Sequence, residues 1–87
     1  MARVFFPPAL RTMTGDQASV DVAGDTVLEI IQEVDRQFPG FQDRLCQNGA
    51  LRPGLMVVVN GSASSLGTLQ RVASDAEIHF LPALGGG

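Results

Sequence analysis

No lysine occurs among the 87 residues, and cysteine and histidine occur once each, as Cys46 and His79. Each scarcity removes a chemistry. A single cysteine cannot form an internal disulfide or a thiolate metal cluster. A lone histidine rules out a zinc site built on two or more imidazoles. Without lysine there is no amine for a Schiff base and no side chain to accept an isopeptide bond. Charge is also sparse, at 17% of residues with a net −3, and no basic face is clustered in the chain. That excludes the electrostatic footprint of a nucleic-acid binder. No apolar run is long enough to span a bilayer. The opening "MARVFFPPAL" has neither the apolar core nor the small-residue cleavage site of a secretory signal, so a cytoplasmic location is expected. Neither a P-loop nor a GxGxxG pattern is present. No nucleophile elbow stands ready to use His79, and the Asp and Glu residues are scattered. The chain does not look like a self-sufficient catalyst, and no metal ligands are assigned.

What remains is a regular pattern of elements. "RVFF" is a short β-rich run, stopped by Pro7 and Pro8, which cannot continue a central ladder. "QASVDV" alternates, with Ala18, Val20 and Val22 on one face and Ser19 and Asp21 on the other. That is the period of a half-buried strand, and the two runs read as a hairpin. Thr26 stands three residues before Glu29, a capping-box spacing. Val27, Ile30, Ile31, Val34 and Phe38 then recur as one apolar helical stripe, ended by Pro39 and Gly40. "FQDRLCQNG" allows one further helical turn before Asn48 and Gly49. "LMVVV" is a strand closed by Asn60 and Gly61, a strong tight-turn pair. A short helical turn is expected at residues 68–72. "AEIHFLP" is the last strand, with Ile78 and Phe80 on one face. The order is β-β-α-β-β, one domain over residues 1–84 with a glycine tail at 85–87.

Three of the last four side chains are therefore no side chains at all: the chain ends "LPALGGG". Glycine adopts almost any backbone conformation and passes where a branched residue would clash. From Leu84 the extended reach is about 14 Å, at ~3.5 Å per residue. Such a thread suits a terminal carboxylate delivered through a narrow channel to a partner that holds a nucleotide. The strands add a second feature. "LMVVV" is apolar on both faces, with Leu55, Val57 and Val59 opposed to Met56 and Val58. Strand one sets Val4 and Phe6 against Phe5, and the last strand sets Ile78 and Phe80 against His79 and Leu81. One helix covers one face of a sheet. Phe5, Met56, Val58 and Leu81, with His79 beside them, are expected on the uncovered face as a partner-binding patch close to the tail. Taken alone, His79 reads as an exposed strand histidine, and Cys46, next to Leu45, as an inert small hydrophobe.

In element order, in "VNG" at residues 59–61 and in the closing "LPALGG", the sequence resembles the ubiquitin-like sulfur carrier proteins, the family of MoaD, ThiS and CysO. The opening "ARVFFPPALR" is most similar to the CysO-like branch. The resemblance covers essentially the whole chain. It implies an α+β fold of β-grasp type, a mixed sheet of about four strands on one main helix. It also implies a mechanism. An E1-like adenylyltransferase uses ATP and Mg²⁺ to activate the terminal glycine, sulfur replaces the adenylate, and a downstream synthase takes sulfur from the thiocarboxylate for cysteine, molybdopterin, thiamine or a related thio-metabolite. ATP and Mg²⁺ then belong to the partner, and this chain binds no cofactor. Gly87 and Gly86 become the working residues, with Leu84 and Gly85 in the partner's channel. Family members typically end in two glycines and this chain in three. Either Gly87 carries the sulfur, which is the favoured assignment, or a tail-trimming protease first exposes Gly86. Two other readings stay open: a protein modifier that conjugates to lysines elsewhere, and a plain interaction module with an inert tail.

Overall fold

The computed structural model describes residues 1–82. The chain opens with β1 (Ala2–Phe5), which pairs antiparallel with β2 (Ser19–Val22) in the register Val4↔Val20. Pro7 and Pro8 stop β1 as expected, and a 3-10 turn at Pro8–Leu10 begins the connection. The main helix, α1 (Val27–Gln37), starts at Thr26, whose hydroxyl accepts the Glu29 N–H at 3.2 Å. The Glu29 carboxylate in turn accepts the Asp25 N–H at 2.8 Å, one residue upstream of the cap itself. Two donors that the helix cannot satisfy are thus paired.

Val27, Ile30, Ile31 and Val34 are fully buried, and Phe38 packs half-buried at the end of the same stripe. Gly40 takes a positive φ of 100° and turns the chain into α2 (Phe41–Leu45). The Asp35 carboxylate accepts the N–H groups of Gly40 and Gln42 and so caps this second helix. Below it, β3 (Cys46–Gln47) and β4 (Ala50–Leu51) form a minimal hairpin around Asn48 and Gly49, with φ of 56° and 80°. Both central residues of such a turn need positive φ, which Asn-Gly tolerates. The same geometry recurs at Asn60 and Gly61, φ 51° and 83°, joining β5 (Leu55–Val59) to β6 (Ser62–Ala63).

The last strand, β7 (Glu77–Pro82), lies in the middle of a five-stranded mixed sheet of order β2-β1-β7-β5-β6. It runs parallel to β1 and antiparallel to β5. Both helices lie on one face of this sheet. Val4, Val57, Ile78 and Phe80 from the sheet meet the α1 stripe and Phe41 of α2, all essentially inaccessible. Phe41 touches Phe6 and Phe80 edge-on, at centroid distances of 5.6 and 6.2 Å.

Several expectations shift in detail. The sheet has five strands in place of about four, the added one being the two-residue β6, and β3 and β4, also two residues each, form a separate two-stranded sheet. The turn expected at residues 68–72 forms as a 3-10 turn at Gly67–Leu69, because Gln70 already extends to accept the Val27 N–H. β1 stops at Phe5, and Phe6, whose N–H still donates to the Ala18 carbonyl at 2.8 Å, buries its ring against Phe38 and Phe41.

Candidate functional site

Alternation along β1, β7 and β5 turns one set of side chains into the core and the other onto the open sheet face. On that open face, Phe5 pairs with His79, His79 with Val58, and Val58 with Ala63. One step nearer the end of β7, Leu81 pairs with Met56. All five patch residues expected from sequence therefore share one face. Their exposure is less than expected. Phe5, Met56, Val58 and His79 are half-buried, and Leu81 is 42% exposed. The reason is lateral packing. The His79 imidazole lies flat on the Phe5 ring, with centroids 4.4 Å apart and planes 2° from parallel. The expected exposed histidine is thus a stacked one, and this aromatic pair forms a flat apolar floor. Offset or stacked aromatic pairs add about 1 kcal/mol beyond burial.

The opposite end of the face is charged. The Arg3 guanidinium meets the Asp21 carboxylate through Nε–Oδ1 at 2.9 Å and Nη2–Oδ2 at 3.4 Å, and Glu77 sits beside Arg3 on β7. The hydrogen bond from Arg3 holds the Asp21 carboxyl below its usual range, and the same bond raises Arg3. The charged row follows from the same alternation as the apolar one, two residues back from Phe5 on β1 and from His79 on β7.

β7 ends beside the start of β5, where Leu55 pairs with Pro82. Two hollows flank this end. One of about 220 Å³ lies on the open-face side, between Phe5, Arg11, His79 and Leu81. The other, about 190 Å³, lies on the helix side, between Leu10, Arg44, Leu45, Phe80 and Pro82. A third hollow of about 340 Å³ separates Met56 from Leu66 and Leu69, which are 58% and 74% exposed. Neither leucine was singled out from the sequence; their spacing of three residues was the available signal. Leu84, Gly85, Gly86 and Gly87, the tail residues assigned from sequence, lie outside the described residues.

Cys46 is buried, and burial pushes its thiol above the usual range against a smaller opposing effect of Arg52. It is a core residue as expected. Among the described residues, no three His, Cys, Asp or Glu side chains group as a metal site. No helix among them is long and apolar enough to cross a membrane.

A mixed sheet with its C-terminal strand central, a helix across one face and a short second helix define a ubiquitin-like β-grasp protein. Sequence comparison refines that class: the chain matches the ThiS family over residues 4–87 and belongs to it. The Mycobacterium tuberculosis sulfur carrier protein CysO is 32% identical over 89 aligned residues, covering 97% of this chain and 96% of that one. The crystal structure of M. tuberculosis CysO superposes with a TM-score of 0.86 at 28% identity, over 97% of this chain and all of that one. A chain in the crystal structure of the Amycolatopsis orientalis BexX/CysO complex gives a TM-score of 0.90 at 35% identity, with both chains fully covered. The small archaeal modifier protein 1 of Haloferax volcanii gives 0.72 at 26% identity, over 95% of this chain and 97% of that one. The resemblance to the CysO-like branch read from the sequence agrees with these matches.

Proposed function

We propose that this chain is a sulfur carrier protein that works through its terminal carboxylate. A free carboxylate is a poor electrophile. A partner of the E1-like adenylyltransferase type transfers AMP from ATP to the terminal oxygen, with Mg²⁺ held by that partner and pyrophosphate leaving. Sulfur at the sulfide level then attacks the acyl carbon, AMP departs, and a thiocarboxylate remains on the glycine. A downstream synthase accepts the sulfur. The relatives named CysO favour cysteine biosynthesis as the destination over molybdopterin or thiamine. The chain itself is a co-substrate in this scheme and carries out no chemistry.

The observation that carries this reading is the family match, which runs through the glycines to residue 87. The geometry is in keeping with it. The central strand ends at Pro82, five residues before the last glycine in sequence, and the apolar row of Phe5, His79, Val58, Met56 and Leu81 offers a docking face on the open side of the sheet. Gly87 is the proposed carrier residue; trimming to Gly86 is the variant of the scheme that an intact mass distinguishes. Incubation with the cognate activating enzyme, ATP, Mg²⁺ and a sulfur donor is expected to exchange one oxygen for sulfur at the C-terminus. Unmodified chain, from an enzyme proven active on another carrier protein of the family, would contradict the proposal.

The H. volcanii neighbour, named a modifier protein, favours conjugation to lysines of other proteins as the second reading. Higher-mass conjugates in lysate that vanish when Gly86 and Gly87 are deleted would support it.

A further inference from the structure

The charges of this small acidic protein are sorted along the direction of β7. At the end where β7 begins, Asp21, Asp75 and Glu77 surround Arg3 in one shallow hollow, and Asp25 lies close by next to Met1. At the end where β7 finishes, three of the six arginines gather. Arg11 lines the hollow on the open-face side with Leu81, and Arg44 lines the hollow on the helix side with Pro82. Arg52 stands just before β5, whose first residue pairs with Pro82. All three are exposed. Arg11 donates its Nε to the Phe6 carbonyl at 3.3 Å, and Arg52 its Nε to the Asp43 carbonyl at 3.0 Å. Each is anchored by one nitrogen to a main-chain oxygen, which leaves the terminal nitrogens of the guanidinium available. Among the described residues none of the three is in an ion pair; the pairs there are Arg3–Asp21 and Arg36–Glu33. Asp16 and Asp43 lie on the same elements and offset part of the charge.

We propose that Arg11, Arg44 and Arg52 form a collar that docks against carboxylates at the rim of the opening that receives the glycine segment, on the activating partner. The inference rests on the sulfur-carrier reading and adds the chemistry of the partner's surface to it. Two anions compete for such a collar: the phosphates of the nucleotide, and acidic side chains of the partner protein. Length decides between them. The five residues beyond Pro82 have an extended span of about 17 Å, well outside the reach of an arginine side chain rooted at the base of the segment. A terminal carboxylate threaded to a nucleotide therefore leaves the collar at the channel mouth, against protein. Planar guanidinium groups match carboxylates in paired geometry. The acidic end of the same molecule repels the acidic rim, so the carrier approaches glycine end first. Exposed charges of this kind act mainly on the encounter rate, and salt weakens them.

The test is the adenylation rate with the cognate activating enzyme across ionic strength, for the full-length chain and for Arg11→Glu, Arg44→Glu and Arg52→Glu. Arg36→Glu, the same charge change on the far side of α1, is the control. Each collar reversal is expected to lower kcat/KM roughly tenfold at low salt through KM, with kcat unchanged and the deficit shrinking as salt rises. Thermal melting separates these effects from misfolding, and the milder Arg44→Gln, with no side-chain hydrogen bond to lose among the described residues, is expected to fall between the parent and Arg44→Glu. Collar variants that match the Arg36→Glu control at all salt concentrations would overturn the collar alone. A fall in kcat at saturating carrier would overturn it too, and assign the guanidiniums to the nucleotide. A parent chain that is never charged would instead overturn the sulfur-carrier reading beneath it.

Discussion

Single residues divide here into those that serve the core and those that serve the end of the chain. Cys46 belongs to the first group. Burial disfavours its thiolate, so its pKa is raised in the folded state. The stability associated with the neutral thiol is then fully present below the unfolded-state pKa and is lost as pH rises through the higher folded value. We expect Cys46 to react with thiol reagents near pH 8 far more slowly in the native protein than in denaturant; equal rates would contradict its placement. Gly86 belongs to the second group. Gly86→Val adds a branched side chain where, in the proposed scheme, the glycine segment enters a narrow channel of the partner. Adenylation is expected to fall to background while the melting temperature stays at the parent value, and unimpaired adenylation would contradict the channel argument. The core placement of Cys46 was legible in the sequence, from a cysteine beside Leu45. The stacking of His79 on Phe5 was not. Alternation gives the face of a strand residue, but the parallel pairing of β1 with β7 that sets the two rings side by side joins residues more than seventy positions apart.

Among the elements, α1 was the most legible because its capping pair and apolar stripe fall within one short window. Thr26→Ala removes the bond to the Glu29 N–H and is expected to cost about 1 kcal/mol in denaturant unfolding. Phe41→Ala opens a cavity where α2 meets Phe6 and Phe80 and should cost about 3–5 kcal/mol. A loss below 1 kcal/mol would show that the site collapses around the gap. The pieces that sequence periodicity missed are β3, β4 and β6. At two residues each they are too short to show any period, and they exist because the Asn-Gly turns return the chain on itself. Both Asn-Gly pairs were visible; what was not visible is that the turn at Asn60 and Gly61 is locked by Asn60, which exchanges bonds with the main chain of Glu77 on β7. On the open face, Phe5→Ala and Met56→Asp are expected to weaken binding to the activating enzyme, measured by titration of the purified pair. Both side chains are only half-buried, so the folds should persist, with Phe5→Ala losing about 1 kcal/mol from its stack on His79. Unchanged affinity in both variants would remove the open face from the docking surface.

At the scale of the whole molecule, the topology places the last described strand at the centre of the sheet, paired on both sides. The helices cover one face, and the other face is left with an apolar row near that end and a charged row far from it. Pattern and punctuation in the sequence carry the order of elements, but the two-sided pairing of β7, the clustering of arginines around its end and the hollow beside Leu66 and Leu69 depend on contacts distant in sequence. The central claim concerns the last residue of the chain. Its most direct test is the intact mass of the protein after incubation with its activating enzyme, ATP, Mg²⁺ and a sulfur donor. The account predicts replacement of one carboxyl oxygen by sulfur, located to the final glycine by fragmentation and absent when Gly86 and Gly87 are deleted. Sulfur found elsewhere on the chain, or charging that survives the deletion, would contradict it.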